Sequence, residues 1–230
     1  DANCQRKGNS YESLQENEEI RLGFKDVSNV DLRRCFRYCQ VIELKAVKGV
    51  VRIDLSHYKR VRSFSLANDL YSRSTPLSLE GGRLYSNDFP ATLKKLSLHN
   101  ISNLTSLTHD TPFTHNLTDV EIVNWESFES CEGLANIPRL KLMSLKKLRS
   151  LHGLGGERVR ELQLISLSDV EIIEEGIGSY RTVKVADCLK LRRLSVDVSQ
   201  CLEVQGCADL DLIVLSGEKL ERLKIHSCPT

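Results

Sequence analysis

The feature that most constrains this chain is a pair of apolar residues two apart, flanked on each side by an apolar residue three away. In Thr92 to Leu107, TLKKLSLHNISNLTSL, the apolar positions are Leu93, Leu96, Leu98, Ile101, Leu104 and Leu107. A helix needs gaps of three and four, and a half-buried strand needs strict twos, so neither period describes the run. Only Leu96 and Leu98 are strand-like. A chain that sets two residues on one strand face and then sends an apolar residue inward every third position is wrapping around a core. One such coil cannot cover its own inward face, so it requires neighbours of the same rhythm on either side.

Those neighbours are present. Strand-like pairs recur at Val120/Ile122, Leu140/Leu142, Leu162/Leu164, Val183/Val185, Leu202/Val204 and Leu223/Ile225. From Leu96 onward the steps between their first members are 24, 20, 22, 21, 19 and 21 residues. Upstream, Ile42/Leu44, Phe64/Leu66 and Leu77/Leu79 repeat the pair less regularly, with Ile53/Leu55 within the first interval.

The pattern LxxLxLxx(N/C)xxLxxL resembles the leucine-rich repeat, whose copies run 20 to 29 residues. LKKLSLHNISNLTSL, LRRLSV and LERLKIHSCP look like the irregular copies of eukaryotic recognition proteins, plant intracellular immune receptors among them. The resemblance covers residues 41–230 and implies a strand-rich α/β solenoid of about eight to ten repeats, irregular before residue 90. It implies a curved parallel β-sheet on the concave face, with loops and short helical turns on the convex face. Residues 1–40 read as an N-terminal cap, with a short amphipathic helix in NVDLRRCFRYCQ that places Leu32, Cys35, Phe36 and Cys39 on one side.

Bulk charge selects no partner: 32 basic and 31 acidic residues leave a net +1, giving no general attraction to nucleic acid or an anionic membrane. No apolar run approaches the ~18 residues of a membrane span, so no membrane insertion is expected within this chain. It begins at Asp1, which reads as a processed or cut form.

Of the eight cysteines, Cys188, Cys207 and Cys228 each follow the second strand residue by three, where the repeat family carries Asn or Cys. They read as buried thiols. Cys35 and Cys39 share a helix face, so a disulfide from either is expected to run outward, one of them to Cys4; the alternative is that all three are reduced core residues. Cys131 and Cys201 have no evident place. Asn100, Asn103 and Asn116 are glycosylation acceptors by sequence and lean toward a secreted or cell-surface protein, whereas the ladder cysteines lean toward the cytoplasm.

No reaction chemistry stands out. The six histidines lack metal-ligand spacing, no C-x-x-C pair exists, and no nucleophile elbow is present. Gly153-Leu-Gly155-Gly156 lacks phosphate-loop and Rossmann spacing and reads as a bend between coils; Glu174-Glu175, Lys146-Lys147 and Arg192-Arg193 read as solvated outer residues. The expectation is no metal, no cofactor and no enzyme.

What remains is the strand face pointing away from the core. Side chains alternate along a strand, so the residue inside each apolar pair and the residue just after it face solvent. The first column, Ser97, Glu121, Lys141, Gln163, Lys184, Glu203 and Lys224, is polar. The second, His99, Val123, Met143, Ile165, Ala186, Gln205 and His226, carries four successive apolar residues. At about 4.8 Å per strand they span roughly 15 Å. Such a strip either packs under a loop as an extension of the core or marks a protein-binding site rimmed by His99, Glu121, Lys141, Gln163 and Lys184. The expected function is a non-enzymatic recognition module for a protein ligand, secreted or at the cell surface; the alternatives are an intracellular adaptor or immune-sensor fragment, and a structural spacer.

Overall fold

The pairs at Ile42/Leu44, Phe64/Leu66 and from Leu96/Leu98 onward fold as strands, because alternating side chains allow both apolar residues to enter the core together, whereas Leu55 is buried outside any strand. The computed structural model describes residues 21–24, 40–45, 50–51, 55, 60–67, 78–79, 89–101, 116–131, 133–156, 158–174, 178–216 and 220–228. The strands are β1 Arg21–Phe24, β2 Val41–Lys45, β3 Val50–Val51, β4 Ser63–Ala67, β5 Ser78–Leu79, β6 Lys95–His99 and β7 Asp119–Val123. They continue as β8 Arg139–Met143, β9 Glu161–Ile165, β10 Ile172–Ile173, β11 Ser179–Ala186, β12 Arg193–Gln205, β13 Leu212–Leu215 and β14 Arg222–His226.

The main sheet runs β1-β2-β4-β6-β7-β8-β9-β11-β12-β14, every pair parallel. From β2 to β14, the first apolar residues stand side by side: Ile42, Phe64, Leu96, Val120, Leu140, Leu162, Val183, Leu202 and Leu223. The chain is therefore a parallel-strand solenoid. Ile42 through Leu202 in this row are buried, and the second row, Leu44 to Val204, lies beside it in the same core. Burying each such side chain contributes roughly 1.5 to 3 kcal/mol.

A backbone device turns the chain at the end of each strand. Asn100, Asn124, Ser144, Ser166, Asp187, Gly206 and Ser227 all have positive φ, between 50 and 63°. This left-handed conformation ends the strand while extending the ladder: Asn124 N–H donates to Met143 O, Ser144 to Ile165 O and Ser166 to Ala186 O. The next residue then drops into the core, as Trp125, Leu145, Leu167, Cys188 and Cys207 do. Trp125 packs on Phe128 with ring centroids 5.0 Å apart.

Among the described residues the outer side of the coils consists of strands, bridges, bends and turns, without a helix. Near the C-terminal end the outer segments themselves pair, β10 and β13 flanking the first half of β12. The second half of the 13-residue β12 belongs to the main sheet, so one strand crosses both. A bulge marks the crossing: Ser199 and Gln200 lie opposite the single residue Arg181.

Upstream, Leu79 pairs through β5 with β3 in a separate two-stranded sheet and does not join the main ladder. Phe64 and Leu96 are therefore direct neighbours in the main ladder although 32 residues apart in the chain. β1 lies within the segment expected as a cap and pairs in register with β2. The amphipathic helix expected at residues 29–40 falls almost wholly outside the described residues, as do Cys4, Cys35 and Cys39.

Candidate interaction surface

The strand register assembles three columns on the sheet face away from the core. Nearest the strand starts lie Ser63, Lys95, Asp119, Arg139, Glu161, Thr182, Cys201 and Arg222. The middle column is Ser65, Ser97, Glu121, Lys141, Gln163, Lys184, Glu203 and Lys224. Last comes Ala67, His99, Val123, Met143, Ile165, Ala186, Gln205 and His226. Four of its residues, Val123, Met143, Ile165 and Ala186, are apolar on consecutive rungs of one ladder.

Their burial is graded. Val123 and Ala186 are 8% and 5% exposed, Met143 and Ile165 are half-buried, and none of the four belongs to the core cluster. They stand side by side across adjacent strands of the sheet. The apolar row has no counterpart in the polar column beside it.

The middle column is tied together by ion pairs between coils. Lys141 Nζ lies 2.7 Å from Glu121, and Lys184 Nζ lies 2.6 Å from Glu203, which Lys224 also approaches at 3.6 Å. In the first column Arg139 holds Asp119 through two nitrogens, one at 2.8 Å. Burial pushes the Asp119 carboxyl up, but hydrogen bonds from Arg139 and Thr118 outweigh it and hold the group below its ordinary value. A groove of about 430 Å3 runs over these two columns between Lys95 and Gln163.

Ser97, His99 and Glu121 form the densest polar cluster. Ser97 Oγ is 2.8 Å from His99 Nε2 and 3.5 Å from Glu121 Oε2, while His99 Nε2 and Glu121 Oε2 are 3.8 Å apart. The nearby imidazole, followed by the Lys141 contact, outweighs desolvation and draws the Glu121 carboxyl down to about 2. The Ser–His contact has the length of a nucleophile–base pair. Glu121 nonetheless approaches the same Nε2 that faces the serine, and so cannot orient the ring from Nδ1 as the third member of a triad does.

Asn100 is held in the turn column, where its Oδ1 accepts from Asn124 Nδ2, whereas Asn116 is exposed and Asn103 lies outside the described residues. Cys131, Cys188, Cys201, Cys207 and Cys228 are free thiols. Cys188, Cys207 and Cys228 each place Sγ 3.5 Å from the carbonyl two residues back. Cys188 and Cys207 are fully buried and Cys228, in the last described coil, is half-buried. Cys131 fills an outer core position, and burial pushes its thiol up to about 12. Cys201 is half-buried in the first column between Thr182 and Arg222.

A larger cavity, about 970 Å3, lies between the Arg149–Gly156 turn and β10. Its charges are mixed, and Asp169 on its wall is already paired with Lys190 at 2.7 Å. The glycines there turn the backbone with positive φ, Gly153 at 90°, Gly155 at 119° and Gly156 at 121°, and a Cβ on nearby Gly178 would come 2.9 Å from Gly155 Cα. Among the described residues no cluster of His, Cys, Asp or Glu is placed to hold a metal, and no helix is long and apolar enough to cross a membrane.

No family model, curated protein or solved structure matches this chain.

Two features of this surface escaped the sequence reading. One is the left-handed turn column, visible in retrospect as Asn, Asn, Ser, Ser, Asp, Gly and Ser at a fixed place after each strand. The other is the residue preceding each first-column residue from Ser63 to Thr182, which forms its own column at the rim: Arg62, Lys94, Thr118, Pro138, Arg160 and, inside β11, Arg181.

Proposed function

We propose that this solenoid is of the leucine-rich-repeat type and acts as a non-enzymatic recognition module, holding a protein ligand on the sheet face away from its core. The observation that carries this reading is the row Val123, Met143, Ile165 and Ala186, apolar and separate from the main core cluster on an otherwise polar face, with Val123 and Ala186 buried and Met143 and Ile165 partly exposed. Contact with a ligand would remove the exposed parts of Met143 and Ile165 from water. Glu121, Lys141, Gln163 and Lys184 supply a rim whose charges orient the ligand.

The sequons lean toward a secreted or cell-surface receptor. A second setting, an intracellular adaptor or immune-sensor fragment, is favoured by the five free thiols among the described residues, since oxidising compartments promote disulfide formation. The recognition chemistry is the same in both.

The test is affinity capture from the native source with three baits: the unaltered chain, a Met143→Asp/Ile165→Asp variant and a Lys146→Glu control on the outer turn. A protein ligand held by the first and third and lost by the second supports the reading, provided circular dichroism shows all three folded. Unfolding of the double variant would make the strip part of the core. Capture of the same ligand by all three would place binding elsewhere.

A further inference from the structure

The rim column holds a site that the sheet face does not explain. Arg181 N–H donates to Arg160 O at 2.8 Å, so these arginines occupy neighbouring rungs of the ladder, about 4.8 Å apart in a parallel sheet. The bulge in β12 lies opposite Arg181, so the two are the last regular rungs before the sheet changes course. Both are exposed. Neither guanidinium has an ion-pair or hydrogen-bond partner among the described residues.

A cavity of about 460 Å3 opens beside them, and its charged lining consists solely of the arginines 139, 158, 160 and 181. Pro138 and Val159 supply apolar surface, and Thr118 completes the wall. The nearby carboxylates serve elsewhere: Asp119 is held by Arg139, and Glu161 stands beside Arg139 in the register and lines the neighbouring groove. Like charges on adjacent rungs repel. For Arg160 and Arg181 this adjacency has an electrostatic cost that no contact among the described residues offsets.

We infer that Arg160 and Arg181 form a binding site for a phosphomonoester carried by a protein segment. A phosphomonoester dianion offers three oxygens in tetrahedral array, enough for two guanidinium forks at once, while a carboxylate offers two coplanar oxygens and a single charge. Nucleic acid is the poorer match. Backbone tracking needs an extended basic path and stacking needs accessible aromatic rings, whereas the chain has net charge +1, the neighbouring columns contain both charge signs, and the cavity lining has no aromatic side chain.

The inference deepens the reading of the sheet face as a protein-binding surface and rests on it, because Arg139 lines both this cavity and the groove over the polar columns. One ligand chain could lie along the groove and set a phosphorylated side chain over the rim. The sheet face would supply contact area and the arginines would supply dependence on modification.

The experiment measures fluorescence anisotropy of the full chain with a degenerate phosphoserine/phosphothreonine peptide library, the same library unphosphorylated, a version with Glu at the modified position, and an oligothymidylate. Phosphorylated peptides are expected to bind, Arg160→Gln and Arg181→Gln each to weaken them by roughly tenfold, and Lys at both positions to restore only part of the loss. Melting curves of the Gln and Lys variants verify that the fold is intact. Equal binding of the unphosphorylated or Glu library, tighter binding of oligothymidylate, or no phosphopeptide binding would overturn the inference. None of these results bears on Met143→Asp/Ile165→Asp, whose effect on protein capture judges the underlying reading separately.

Discussion

Asn124 Nδ2 donates a hydrogen bond to Asn100 Oδ1 one coil away, and both residues hold left-handed backbone, with φ of 50 and 58°. Side chain and backbone thus reinforce the same turn in successive coils. Asparagine is one of the few residue types that tolerates this conformation.

Asn124→Ala should therefore lose both the hydrogen bond and the tolerance, costing about 1 to 2 kcal/mol. Ser166→Gly, at φ 52°, should move the other way by roughly 0.5 to 1 kcal/mol, because glycine relieves the backbone strain at a smaller entropic cost. Urea unfolding midpoints of the two variants, compared at equal slope, check both signs.

Glu121 should make the solenoid sensitive to acid. Its folded value, about 2, lies below the ordinary 4.5, so the stabilisation is fully present above pH 4.5 and is lost as pH falls through about 2. The carboxylate is 35% exposed, and solvent screening limits the contribution to about 1 kcal/mol. Glu121→Gln should flatten this part of the stability profile between pH 5 and 2 while Asp119 retains its own smaller dependence, as thermal melting across that range would show.

The thiols should separate by position in brief alkylation of the native protein at mildly alkaline pH. Cys201 and Cys228, both half-buried, are expected to react first. Cys131 should resist, since burial pushes its thiol up to about 12, and Cys207 should resist because Cys188 beside it and burial push its thiol up. Mass mapping of labelled peptides reads the order; early labelling of Cys131 would contradict its place in the core.

Ser195 lies in the outer part of β12 with 1% exposure, and its hydroxyl has no hydrogen-bond partner among the described residues. An unsatisfied buried hydroxyl costs about 1 to 3 kcal/mol. Ser195→Ala should raise stability by about 1 kcal/mol, seen as a higher melting temperature with unchanged circular dichroism.

The main ladder was legible in the sequence because its signal is periodic: Leu96, Val120, Leu140, Leu162 and Val183 form one row, as a spacing near 21 requires. The outer strands were not, since β10 and β13 carry a few apolar residues without a repeat of their own. Leu77/Leu79 imitated the main pattern, and only pairing partners distinguish a main strand from an outer one. On the sheet face, alternation placed the apolar strip correctly in register. It could not give the burial of Val123 and Ala186, which depends on how neighbouring rungs shade each other. The rim arginines stayed hidden because they are consecutive in the ladder yet 21 residues apart in the chain.

The double membership of β12 has a mechanical result. A slip of one residue would turn Leu194, Val196, Leu202 and Val204 outward together, stripping apolar cover from two sheets at once. The strand works as a splint between the two sets of strands, so bending there must deform both in concert.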